Sequence, residues 1–346
     1  MSSSRKKRKL RVVVLMHEDL IPPDHVEVEE GDEFMQYKTE YDVVVGLREL
    51  GHEVVKLGLS DEIAPLRKII KGADPHIVFN LLEEFRGEAV YDQNVVAYME
   101  LQGVHYTGCN PRGLVIARDK ALSKKILHYH RIRVPRFMVV QMGRKPRRNK
   151  QLEFPLIVKS LVEESSAGIS QASVVYSDEK LAERVCFMHE NVGTDAIVEQ
   201  YIDGREVYVG VLGNSRLEVL PVWELEISNL PADAPRIATR RVKWDIEYQE
   251  KHKITSGRAR DLTPEKEAEI AKVSRRIYRL LGLSGYARID FRLTPEGSVY
   301  FLEANPNPDI AIDEEFASAA EATGCEYPQL MEKIVAYGLK AGRLRP

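Results

Sequence analysis

Cysteine is scarce in this chain: Cys109, Cys186 and Cys325 are far apart, odd in number and without CxxC spacing. That argues against a disulfide framework and against a cysteine-ligated zinc site, and it fits a reducing cytoplasm. Long apolar runs are missing too. None approaches the ~18 residues that a membrane span needs, and the charged N-terminus has no apolar signal segment behind it. Nor is there an excess of one charge: 50 Lys and Arg against 53 Asp and Glu give a net charge of −3. No field of one sign therefore points to nucleic acid or an acidic membrane as the main partner. The single basic run, Arg5-Lys6-Lys7-Arg8-Lys9, precedes a strand-like stretch and reads as a solvated leader. No GxxxxGK[ST] sequence occurs, which excludes an ordinary P-loop. What remains is a soluble, cytoplasmic globular protein, and 346 residues suffice for two or three domains.

Leu10 to Met16 is a β-branched apolar run of the kind that forms a strand buried on both faces. Glu40 to Leu50 reads as a helix ended by Gly51, followed by strands over Glu53 to Leu57 and Ile77 to Asn80. A helix from Glu88 to Leu101, closed by Gly103, and a short strand His105-Tyr106-Thr107 follow. Alternating strand and helix predict a parallel-sheet domain over residues 1–112. A helix through Lys120 to His128 opens a small α+β lobe over residues 113–202. Its strands are expected at Phe137 to Val140, Leu156 to Lys159, Ala172 to Val175 and Ala196 to Glu199, with a helix from Asp178 to Glu190. Residues 203–346 then form a C-terminal lobe with antiparallel strands at Val207 to Val211 and Leu217 to Leu220. Thr263-Pro264 starts a helix with Ile270, Val273, Ile277 and Leu280 at helical spacing.

The chemistry concentrates in Ala287-Arg288-Ile289-Asp290-Phe291 and Phe301-Leu302-Glu303-Ala304-Asn305. Strand side chains alternate faces, so Arg288 with Asp290, and Glu303 with Asn305, each share one. Thr294-Pro295-Glu296-Gly297-Ser298 is hairpin chemistry. A four-residue loop from Pro295 to Ser298 would set Asp290 opposite Glu303 and Arg288 opposite Asn305. Two carboxylates and an amide suit Mg²⁺ completed by nucleotide phosphates, with Mn²⁺ as a substitute, and the arginine would stabilise a transferred phosphoryl group. A solvated hairpin with an incidental salt bridge is the other reading. Tyr286 and Phe291 read as packing groups.

Lys159 ends a strand and is followed by a small-residue loop, Glu163 to Ser170, that reads as a phosphate cradle or as a plain turn. Glu199-Gln200-Tyr201-Ile202 followed by Asp203-Gly204-Arg205-Glu206 reads as a connector offering backbone groups to an adenine edge, with Glu206 for ribose hydroxyls. An inter-domain hinge would look similar.

Taken in order from about Ile77 to Asn307, these pieces resemble the ATP-grasp superfamily and, within it, the D-alanine–D-alanine ligases. The resemblance implies an ATP-grasp fold, mixed α/β and α+β, behind an N-terminal parallel-sheet domain. It implies ATP held by Lys120, Lys159, Glu199, Gln200, Ile202 and Glu206, and metal held by Asp290, Glu303 and Asn305. Arg288, Ser166 of the flexible loop and Lys251 of a mobile lid over Trp244 to Asp261 are the implied catalytic residues. The implied reaction is ATP-dependent joining of a carboxylate to an amine through an acyl phosphate, with small amino acids as substrates. A homodimer is the prior expectation for a small metabolic enzyme. A nucleotide-binding sensor, or an ester-forming ligase suggested by His252 in place of the usual tyrosine, are the alternatives. The substrate-pocket motifs diverge. Where the ligases carry a glycine-glycine, serine and glutamate signature, this chain has Met16-His17-Glu18-Asp19. Where they continue after the metal asparagine with serine-proline-glycine, it reads Pro306-Asn307-Pro308-Asp309.

Overall fold

The computed structural model describes residues 9–25, 31–163, 168–229, 235–239, 241–242 and 245–341. Arg5 to Arg8 of the basic run, Ser166 with the rest of 164–167, and Trp244 lie outside these residues. Strand β1 (Arg11–His17) is the centre of a three-stranded parallel sheet, between β2 (Glu53–Leu59) and β3 (Ile77–Asn80). Val12 to Met16 are all buried because both faces are covered. Val12, Val14 and Met16 pack on Val43, Val44 and Leu47 of the helix Lys38–Glu49, and on Leu330, Met331 and Ile334 of the C-terminal helix Tyr327–Ala341. Val13 and Leu15 face the opposite core, with Val95, Val96 and Met99 of the helix Asp92–Leu101. The segment expected as a strand at His105 to Thr107 contributes one parallel bridge, Tyr106 to Val78. Gly338 passes so close to it that a Cβ would lie 2.5 Å from the Tyr106 carbonyl oxygen.

A second, antiparallel sheet has the order β4 (Phe137–Val140), β7 (Ala196–Gln200), β5 (Leu156–Ser160), β6 (Val174–Val175). The strand expected from Ala172 is shorter, because Ser170 and Ser173 exchange capping hydrogen bonds and turn Gln171–Ser173 into one 3-10 turn. The helix Lys120–Tyr129 starts where the Asp119 carboxylate accepts from the Ala121 and Leu122 N–H groups.

The third sheet runs β11 (Ile254–Arg258), β10 (Trp223–Ile227), β8 (Arg205–Gly213), β12 (Tyr286–Leu293), β13 (Val299–Pro306), with β9 (Leu217–Val219) paired to β8. Val207, Val209, Val211, Ile289 and Phe291 meet Ile270, Ile277 and Tyr278 of the helix Pro264–Leu280. By the two-residue period, Glu206, Tyr208, Arg288, Asp290 and Arg292 take the other face. The stretch expected as a mobile lid is partly sheet: Ile254–Arg258 pairs along its length with β10, which satisfies its backbone, and its exposed Thr255 and Ser256 are typical of an edge strand.

The hairpin between β12 and β13 reaches the expected pairing by another route. Its loop is one residue shorter, Pro295 to Gly297, closed by Thr294 N–H donating to Ser298 O at 2.9 Å, with Gly297 in the left-handed region at φ +80°. Uncorrected, that register would slide β13 by one residue. The ladder shifts between Asp290 and Phe291, leaving Leu302 as an extra residue in β13, and beyond it Asp290 faces Glu303 and Arg288 faces Asn305. The Leu302 carbonyl accepts from Lys124 Nζ, which lies 2.8 Å from Glu199 Oε1. Both side chains are essentially fully buried.

Removing one member of such a pair strands the other charge. Lys124→Met is expected to lower unfolding free energy by ~3 kcal/mol, and Lys124→Met with Glu199→Leu by clearly less; urea unfolding of the two variants checks both, and equal losses would contradict the pairing.

Candidate functional site

The second and third sheets face each other across a cleft. Lys120 and Lys159 enter it from the small lobe, Glu206, Asp290, Arg292 and Glu303 from the large sheet, and Gln200 and Ile202 from the connector. Lys120 Nζ donates to Glu163 O at 2.7 Å and lies 3.6 Å from Glu303 Oε2; Lys159 Nζ is 3.6 Å from Glu199 Oε2. Burial works against the Lys159 charge, but Glu199, Glu303 and Glu206 together raise its pKa. Burial likewise opposes ionisation of Glu199, and Lys124 and Lys159 outweigh it, so its pKa is lowered. The Glu199 carboxylate therefore serves two lysines, and what it leaves for a ligand is the backbone of its strand end.

Arg292, which the sequence reading passed over, is 5% exposed. It donates to Glu206 Oε2 at 2.8 Å and to the carbonyls of Gly204 and Arg236 at 3.1 and 2.9 Å. It sits two residues beyond Asp290 on the same strand face, so the alternation that picked out Arg288 and Asp290 also selects it. Lys124 had no such signal, since nothing in its sequence context marks it as buried. The segment 235–239 closes the cleft from above, with Ile237 packed on Ile157 and Val174, leaving about 60 Å³ of free space.

Arg288 is held rigidly. It donates to both oxygens of Asp290 at 2.9 and 3.0 Å and to Glu315 at 3.3 Å, and it stacks 4.8 Å over the Tyr208 ring. Asn305 donates to Asp290 Oδ2 at 2.9 Å. Asp290, Glu303 and Asn305 thus stand together as hard oxygen donors of the number and type that Mg²⁺ accepts, with its other positions left to phosphate and water. Lys251 is not part of this group: it is exposed in the last turn of the helix Ile246–His252 and lines neither hollow. His252 is tied to Asn229 O at 2.8 Å and stacks on Tyr248.

Beyond Arg288 the cleft continues into a chamber of about 460 Å³, and Glu303 lines both. Its walls come from the parallel-sheet domain, including Lys38, Thr39 and Glu40, and from the Pro306 to Glu315 segment. Glu18 is exposed and takes no part; the buried acid of that domain that lines the chamber is Glu40. The Asn307 backbone is left-handed at φ +53°, and its side-chain oxygen accepts from Cys109 N–H at 2.8 Å. A Cβ on Gly108 would lie 2.4 Å from that oxygen, so only glycine fits there. Asp309 accepts from Thr39 Oγ1 at 2.8 Å and from Ala311 N–H at 2.9 Å.

A sequence model described as the D-ala D-ala ligase C-terminus matches residues 126–336. The chain is 30% identical to the uncharacterized protein y4sG of Sinorhizobium fredii over 303 residues, covering 85% of each. It is also 30% identical to the D-alanine–D-alanine ligase of Aquifex aeolicus over 299 residues, 86% of this chain and 94% of the ligase. Among solved structures, the D-alanine–D-alanine ligase of Bacillus anthracis complexed with ATP superposes with a TM-score of 0.73 at 22% identity, over 96% of this chain and 99% of that one. The VanG D-Ala:D-Ser ligase of Enterococcus faecalis gives 0.68 at 20% identity, over 96% of this chain and all of that one.

Burial, with repulsion from Glu83 and Asp309, pushes Glu40 from its ordinary 4.5 up to about 8. A raised acid contributes stability that is complete below pH 4.5 and is lost as pH climbs to 8, since over that range the unfolded state has released a proton that the folded state still holds. Glu40→Gln is therefore expected to match the wild type near pH 4.5 and to exceed it above pH 8, by at most ~5 kcal/mol. Thermal unfolding from pH 4.5 to 9 measures this, and parallel curves would contradict it.

Proposed function

This chain belongs to the D-alanine–D-alanine ligase family and has the ATP-grasp fold, and from that premise we infer that it is an ATP- and Mg²⁺-dependent ligase joining a small carboxylic acid to an amine. A carboxylate oxygen of the first substrate attacks the γ-phosphorus of ATP, the bond to the β-phosphate oxygen breaks, and ADP leaves. The amine nitrogen of the second substrate then adds to the activated carbonyl, and inorganic phosphate and a proton depart as the amide forms. One observation carries this reading: the rigid Arg288 stands between a cleft with two buried lysines and a chamber large enough for small organic molecules, with Asp290, Glu303 and Asn305 at the junction.

The first step brings two anions together, and the residues answer that problem. Lys120 and Lys159 hold phosphate oxygens as point charges. Bound Mg²⁺, held by Asp290, Glu303 and Asn305, would supply further positive charge to the phosphates. Arg288 is locked by Asp290, Glu315 and Tyr208, so it offers its remaining N–H capacity to the transferred group without having to reorganise. The Gln200 to Ile202 connector takes the adenine edge and Glu206, oriented by Arg292, takes the ribose. A substrate pair related to that of D-alanine–D-alanine ligases is the nearest named chemistry.

Phosphate release from MgATP that requires both a carboxylate and an amine, screened over amino-acid mixtures with the product identified by mass spectrometry, tests the reading. ATP binding without such turnover would replace it with a nucleotide sensor. Arg288→Ala is expected to cut turnover ~100-fold while leaving ATP affinity within a few-fold, as read from kinetics and nucleotide titration. Glu303→Gln is expected to shift the Mg²⁺ titration to higher concentration; an unchanged titration would remove Glu303 from the metal site.

A further inference from the structure

We propose that the chamber beside Arg288 binds a substrate with one positive charge more than a zwitterionic amino acid, either a diamine or an amino acid with a cationic side chain, and that Glu40, flanked by Asp309 and Glu314, receives that charge. The inference rests on the ligase reading only for where the reacting groups lie.

Among the described residues, seven carboxylates line the chamber against two cations, Lys38 and Arg288. Both cations are already engaged. Arg288 is clamped by Asp290 and Glu315, and Lys38 reaches Asp42 at 3.1 Å and the Ile312 carbonyl. Glu303 has Lys120 at 3.6 Å. Setting Glu83 aside with these engaged groups, Glu40, Asp309, Asp313 and Glu314 have no described basic side chain in ion-pair range.

Glu40 points to a ligand independently of the cluster. It lies in the first turn of the helix Lys38–Glu49, is 5% exposed, lines the cavity, and is met by no side-chain donor; its own backbone N–H is its one favourable contact. Burial keeps this carboxyl group protonated until something positive reaches it, and a cation in contact with it would stabilise the ionised form. The acids line a space of about 460 Å³ from separate segments, a size suited to a small organic molecule. A zwitterion brings no net charge and would leave the excess standing. An added ammonium or guanidinium group would cancel part of it where Glu40, Asp309 and Glu314 meet, while the reacting end stays near Arg288.

Calorimetry on the full chain with MgADP present tests this with matched pairs: ornithine against norvaline, and 1,4-diaminobutane against n-butylamine. The member of each pair that carries the extra ammonium group is expected to bind at least ~10-fold tighter, with affinity falling as salt rises. Glu40→Gln is expected to weaken ornithine about 30-fold and to leave norvaline within about two-fold; Glu314→Gln, on a different element, is expected to act in the same direction. Equal affinities within both pairs, binding only by the members without the extra ammonium group, no binding by any of the four, or indifference to both substitutions would overturn the proposal. Parallel phosphate-release assays keep the two readings apart. A cation preference in binding without turnover for any carboxylate and amine would remove the ligase and keep the cation-binding chamber, whereas turnover with no cation preference would do the reverse.

Discussion

The extra residue at Leu302 is the constraint on which the site depends. Strand side chains alternate strictly, so a slip of one residue in β13 would carry Glu303 and Asn305 to the face occupied by the Pro264–Leu280 helix. The tight turn at Gly297 imposes such a slip, and the bulge cancels it next to Asp290. The carbonyl left out of the ladder is taken by Lys124, whose ammonium group is fixed by Glu199 on the small sheet. The local irregularity, the buried ion pair and the spacing between the lobes are therefore one mechanical unit. Lys124 without the Leu302 carbonyl and Glu199 would be an unpaired charge in the interior.

The two hollows that meet near Arg288 differ in how their charges are balanced. In the cleft Lys120, Lys159 and Arg292 each have a carboxylate within 4 Å, Glu303, Glu199 and Glu206, whereas the chamber gathers Glu40, Asp309, Asp313 and Glu314. Arginine suits the boundary better than lysine would. Its planar fork satisfies both Asp290 oxygens while its face rests on Tyr208, which a single ammonium cannot do.

Much of this was legible before any coordinates. The buried run at β1, the proline-started helix at Pro264 and the shared faces of Arg288 with Asp290 and Glu303 with Asn305 follow from periodicity and capping alone. The residues that escaped did so for physical reasons. Lys124 reads as an ordinary helical lysine, because burial is set by Glu199 and Leu302, 75 and 178 residues away. Glu40 reads as a helix-start acid, and its isolation becomes apparent only when the Pro306 to Glu315 segment folds over it. Ile254–Arg258 looks like a polar loop because an edge strand needs few apolar residues once its neighbour satisfies the backbone. The loop register was predicted one residue too long; the pairing it aimed at still forms, because the bulge adds back the missing residue.

Arg292 links the connector between the lobes to the cover of the cleft. Its guanidinium joins Gly204 in the connector, Glu206 in β8 and Arg236 in the covering segment, so three chain segments share one buried cation. Beside Arg236, Ile237 fills the apolar part of the cleft against Ile157 and Val174, and about 60 Å³ remains. The Arg292 bonds to Glu206 and to the Gly204 and Arg236 carbonyls hold the covering segment to the connector. Losing the bond to Arg236 would leave a buried donor unsatisfied unless another oxygen took the carbonyl's place, so the position of the cover and the orientation of Glu206 depend on one guanidinium.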